Sequence, residues 1–154
     1  MRKALTCAAT AALIAALAAA TAAQDANPRF GRWKLKSEAP APQSNIMTYA
    51  PFGSSGMRVT IDAVNSRGEP SQWGYTTLFD GKDEPVAGRE GQTAAVRMIT
   101  ERTAEITYKQ NGRVSQVLTN VLSPDGNTIG IIYMRPGSDG RPDSVSFATY
   151  ERIR

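Results

Sequence analysis

Met57-Arg58-Val59-Thr60-Ile61-Asp62-Ala63 decides the fold, because apolar and polar side chains take turns along it: Met57, Val59, Ile61 and Ala63 against Arg58, Thr60 and Asp62. Successive side chains of an extended chain point to opposite faces, so a period of two gives one dry and one wet face, where a helix would need a period near 3.6. Ile106 and Tyr108 against Thr107 and Lys109 repeat the pattern, and Trp73, Tyr75, Thr77 and Phe79 set large rings on one face at the same spacing. Helical periodicity is absent beyond the first two dozen residues.

Working outward, strand-sized segments fall at 30–35, 45–52, 57–65, 72–79, 93–99, 104–110, 113–122, 128–135 and 144–153. Between them stand Gly53-Ser54-Ser55-Gly56, residues 65–70, Asp80-Gly81-Lys82, Asn111-Gly112, Ser123-Pro124-Asp125-Gly126 and residues 136–142. Gly, Asn and Asp there can take the positive backbone angles that tight hairpins need, and Asn111-Gly112 is the strongest such signal. Residues 38–44 carry Pro40 and Pro42, which lack the amide donor of a sheet ladder, so this stretch is a linker. The reading is an all-β, antiparallel meander of eight to nine strands, closed or nearly closed into a barrel, since curling removes exposed strand edges. Two stacked sheets would need a long crossing connection, for which 38–44 and 136–142 are the candidates.

The chain begins with basic Met1-Arg2-Lys3 and an Ala-rich apolar run from Ala4 to Ala20, then small residues at Ala22 and Ala23. That is the makeup of a signal peptide over 1–23, which directs the protein to the periplasm or outside the cell. Cys7, the single cysteine, lies inside this leader instead of after its apolar run, so neither a lipid anchor nor a disulfide is expected. Residues 24–30 are polar and read as a flexible arm, and 31–154 as one barrel domain, about 130 mature residues being enough for a hydrophobic core. Loss of Arg2 and Lys3 leaves 16 basic groups against 14 acidic ones, scattered without a run, which argues against nucleic-acid binding. The outward positions Arg58, Asp62, Glu105 and Lys109 argue against a lipid-embedded barrel.

There is no histidine, and no cysteine after cleavage, which removes Ser-His and Cys-His nucleophilic sites and the usual zinc and haem ligands. No catalytic residue, metal or cofactor is expected. Asp80, Asp83 and Glu84 sit beside Gly81 and Lys82 in a polar turn, without the burial that raises a catalytic carboxyl's pKa. The inward set Trp73, Tyr75, Tyr108, Tyr133 and Phe147, with Gln116, instead offers flat apolar walls with a few polar contacts, the composition of a small-molecule pocket. The same rings could equally fill the core. Arg97, between Val96 and Met98, is expected to face solvent.

Gly31-Arg32-Trp33-Lys34-Leu35 near the start and Ala148-Thr149-Tyr150-Glu151-Arg152 at the end together resemble the lipocalin and fatty-acid-binding-protein group of barrels, the calycins. The run from Tyr75 to Lys82 followed by Pro85-Val86-Ala87-Gly88 is similar to small lipocalin-like proteins of bacteria. The resemblance implies a lipocalin-like barrel whose mouth admits a small hydrophobic molecule. It gives Gly31, Trp33 and Arg152 structural roles: Trp33 closes one end under the Pro-rich linker, and Arg152 or Arg154 stacks across the indole. Fatty-acid-binding proteins hold a ligand carboxylate with an Arg two residues before the terminal-strand Tyr; that position is Ala148, so this clamp is missing. The expectation is an exported, non-enzymatic binding protein for a small hydrophobic or amphipathic ligand. The alternative is an envelope interaction module with a filled core and a surface patch.

Overall fold

The computed structural model describes residues 27–137, 139 and 141–154; the signal peptide read over 1–23 lies outside them. Ten antiparallel strands form: β1 (Gly31–Leu35), β2 (Ser44–Phe52), β3 (Gly56–Val64), β4 (Pro70–Thr77), β5 (Asp80–Pro85), β6 (Gln92–Thr100), β7 (Thr103–Gln110), β8 (Arg113–Leu122), β9 (Thr128–Pro136) and β10 (Pro142–Ile153). They make one sheet in the order β4-β3-β2-β1-β10-β9-β8-β7-β6-β5. The first and last strands therefore pair, with Trp33 opposite Arg152, and the two ends of the sheet are β4 and β5, neighbours in sequence. A single bridge joins those ends: the Gly74 amide donates to the Ala87 carbonyl at 3.1 Å and the Ala87 amide to the Gly74 carbonyl at 2.8 Å. The barrel is thus closed except along one seam. Glycine is needed there, because a Cβ on residue 74 would lie 2.3 Å from the Val59 carbonyl oxygen.

The strand absent from the sequence reading is β5. Its Asp-Gly-Lys-Asp-Glu-Pro sequence reads as a polar turn, and it pairs only along β6, through a bulge between Asp80 and Asp83. Ion pairs hold it: Lys109 Nζ reaches across from β7 to Asp83 Oδ2 at 2.7 Å, and within β5 itself Lys82 pairs with Asp80 at 2.7 Å, keeping the Asp80 carboxyl below its usual range. The Asn111-Gly112 hairpin forms as read, with φ of 50° and 78° matching a turn that needs two positive angles.

Alternation sets the core. Met57, Val59 and Ile61 on β3, Ala104, Ile106 and Tyr108 on β7 and Ile129 and Ile131 on β9 are buried, while Arg58, Asp62 and Arg97 face solvent, Arg97 paired with Glu105 at 2.8 Å. Trp33 is 0% exposed. Its indole Nε1 donates to the Arg29 carbonyl at 2.9 Å, and the Arg152 guanidinium stacks 4.1 Å from the ring centre while donating to the Phe30 and Gly126 carbonyls, each at 2.8 Å. Gly31 has a φ of 131°, which residues with a side chain rarely adopt, and a Cβ there would also lie 2.8 Å from the Arg152 guanidinium, so glycine stands two residues before the tryptophan.

One expectation changes at this end. The cover over Trp33 is the Asn27–Phe30 turn, where the chain enters β1; the Pro-rich linker leaves from the other end of that strand, Lys36 donating to the Thr149 carbonyl at 2.8 Å. Of the flexible arm read over 24–30, residues 27–30 are described and form this turn, and 24–26 lie outside the described residues. The Phe30 amide donates to the Asn27 carbonyl at 2.8 Å, and Arg29 is 1% exposed.

Candidate functional site

Along β2, β3, β4, β7, β8, β9 and β10 the inward positions stop short of filling the barrel and leave a cavity of about 210 Å³. Its walls carry all five tyrosines of the chain, Tyr49, Tyr75, Tyr108, Tyr133 and Tyr150, together with Trp73. Val59, Ile61, Ile106, Leu118 and Ile131 supply aliphatic surface, and the amides of Asn45, Gln116 and Asn120 supply polar points. Among the described residues no charged side chain lines it. The rings are arranged edge to face: Tyr108 lies 6.0 Å from both Trp73 and Tyr75, at 76° and 81°, a geometry that suits aromatic quadrupoles. Burial pushes each phenol's pKa up, that of Tyr75 to about 12, so all five are neutral donors at ordinary pH.

Of the residues proposed from sequence, Trp73, Tyr75, Tyr108, Tyr133 and Gln116 meet in this cavity. Phe147 does not. It is 76% exposed on the outer face of β10, because Tyr150 and Ala148 take the inward positions there and Phe147 has the opposite parity. Sequence reasoning missed Tyr49, Tyr150, Asn45 and Asn120. The signal for two of them was present, since Asn45, Met47 and Tyr49 follow the period-two rule along β2.

Polar groups on the lining are tied together. Tyr150 Oη donates to Asn45 Oδ1 at 3.2 Å near the mouth, and Asn120 Nδ2 donates to Tyr49 Oη at 3.0 Å at the floor. Behind Asn120, Arg29 Nη1 donates to Asn120 Oδ1 and Nη2 to the Arg102 carbonyl at 2.7 Å. At the rim the exposed Arg89 guanidinium sits 4.5 Å over the Trp73 ring. Trp73 is shared with an open groove of about 460 Å³ along the β4–β5 seam, which Gly74, Ala87 and Gly88 also border. That hollow is larger but lies open on the surface, and it lacks the converging donors of the interior.

The architecture is a nearly closed, antiparallel ten-stranded β-barrel with a lined interior cavity. Among solved structures the chain is similar to the fluorescent protein UnaG: the wild-type crystal structure matches with a TM-score of 0.56 at 14% identity, over 80% of this chain and 96% of that one. A point mutant of the same protein matches with a TM-score of 0.58 at 14% identity, over 82% and 97%. At that identity the likeness is one of fold. No family model matches the sequence, and no curated protein matches it.

Proposed function

We propose that the protein is an exported, non-catalytic binding protein that holds a small hydrophobic or amphipathic molecule inside the barrel. One observation carries the reading: a lined interior space of about 210 Å³ remains where the sequence had rings enough to fill it. Aromatic and aliphatic walls with a few converging phenol and amide groups are the makeup of a small-molecule pocket, in which a ligand packs against the rings and uses those donors. The basic, Ala-rich start of the chain supports a periplasmic or secreted location.

A specific observation favours a second reading, an interaction module. Phe147 and Val145, 76% and 53% exposed, stand beside Ile132 on the outer face of β9 and β10, an apolar surface of the kind that marks protein contacts. Titration with an apolar, environment-sensitive dye separates the two. Gln116→Trp places a large ring at the mouth of the cavity and is expected to weaken dye binding at least about tenfold, while Phe147→Ser leaves it unchanged. The reverse pattern would move the site to the outer face.

A further inference from the structure

Arg29 is a buried cation for which no carboxylate is in reach among the described residues. Its guanidinium is held by Asn120 Oδ1 and by the Arg102 carbonyl, and its Nε has no hydrogen-bond partner. A charge taken out of water without a counter-ion is costly, so something must answer it.

The chemistry of the donors fixes which way the connection runs. A guanidinium has only donors, so Asn120 must present its oxygen to Arg29 and its amide hydrogens to Tyr49. The Tyr49 hydroxyl is then an acceptor toward Asn120 and keeps its own proton. Among the described residues no acceptor is hydrogen-bonded to that proton, and Tyr49 lines the cavity. Arg29, Asn120 and Tyr49 thus form a donor chain running one way, each bond polarising the next, with the positive end emerging at the cavity floor. The Tyr49 phenol stays protonated because burial raises its pKa.

We propose that the ligand is a compact aromatic monocarboxylate whose carboxylate takes the Tyr49 proton as a hydrogen bond and supplies the negative charge that Arg29 lacks. This rests on the binding reading above. Size limits the class: about 210 Å³ equals about seven water volumes at ~30 Å³ each, room for a molecule of on the order of ten non-hydrogen atoms and below the ~300–1,000 Å³ of pockets for larger ligands. The ring would lie among Tyr75, Tyr108 and Trp73, already set edge to face. The cation comes from the turn before β1, at the opposite chain end from Ala148, the position where fatty-acid-binding proteins carry theirs.

Benzoate and its neutral isostere benzamide test this by calorimetry at neutral pH, on the folded protein, beside the dye titration. Benzoate is expected to bind at least about tenfold tighter, the range of a hydrogen bond to a charged group. Asn120→Asp, which has the same shape, gives Arg29 a carboxylate of its own and draws the Tyr49 proton to itself, so it is expected to keep the fold and to bring the ratio of the benzoate and benzamide affinities to about one. Tyr49→Phe is expected to bring that ratio to about one as well. Equal binding of the two probes, or a preference that survives Asn120→Asp, would overturn the inference and leave the binding reading standing. So would dye binding with neither probe bound. If the dye too fails to bind, the binding reading falls and takes the inference with it.

Discussion

Replacing Trp33 with alanine is expected to remove about 3–5 kcal/mol of stability, the range for deleting a fully buried indole, out of the ~5–15 kcal/mol that holds a domain together. More than ring volume is lost. The Arg29 carbonyl forfeits the indole donor at 2.9 Å, and the Arg152 guanidinium loses the ring it stacks on at 4.1 Å, a contact worth about 0.5–2 kcal/mol. Both partners are also tied to the turn and to β10, so the damage reaches the pairing of the first and last strands that joins the two halves of the sheet. Urea unfolding checks it: the midpoint should fall with little change in slope, and Trp33→Phe should lose a smaller share because most of the ring volume remains. A loss under about 1 kcal/mol would mean that this end of the barrel is not a keystone.

Alkaline pH is the second strong lever. Burial raises the pKa of all five tyrosines above the ordinary value of 10, that of Tyr75 to about 12. A group whose folded pKa is raised contributes stability that is complete below the unfolded pKa and is lost as pH climbs through the folded one. The window therefore opens near pH 10. At about 1.36 kcal/mol per pKa unit, Tyr75 alone accounts for about 3 kcal/mol of loss by pH 12, and four more phenols push the same way. The barrel is expected to unfold cooperatively between about pH 10 and 12, with phenolate absorbance and loss of circular dichroism rising together. With no histidine in the chain, no side chain of ordinary pKa titrates between about pH 5 and 8, and stability should be level there. Five phenols titrating one after another near pH 10 in an intact fold would show that the cavity is open to water.

Much of this was legible in the sequence, for a physical reason. Where a strand has one dry face, alternation gives both its existence and its inward set, as with Met57, Val59 and Ile61, and Asn111-Gly112 announces its turn through the backbone angles it requires. Parity also placed Trp73, Tyr75 and Tyr108 on the inward face. Phe147 went astray because ring character was allowed to outweigh parity: Tyr150, three positions on, is inward, so Phe147 must face out. β5 was illegible because its faces are both polar and its partner lies on one side only. Arg29 was illegible for a deeper reason. A cation before the first strand reads as solvated, and its burial depends on Asn120 and Arg102, distant in sequence, which only the closed barrel brings to it.

The most direct measurement is native mass spectrometry of the protein isolated from the cells that make it, set against its denatured mass. A binding barrel predicts a reproducible excess mass from one small organic molecule, lost on denaturation and absent from Gln116→Trp. A bare chain that also refuses the apolar dye would contradict the account and leave the outer face of β9 and β10 as the place to look.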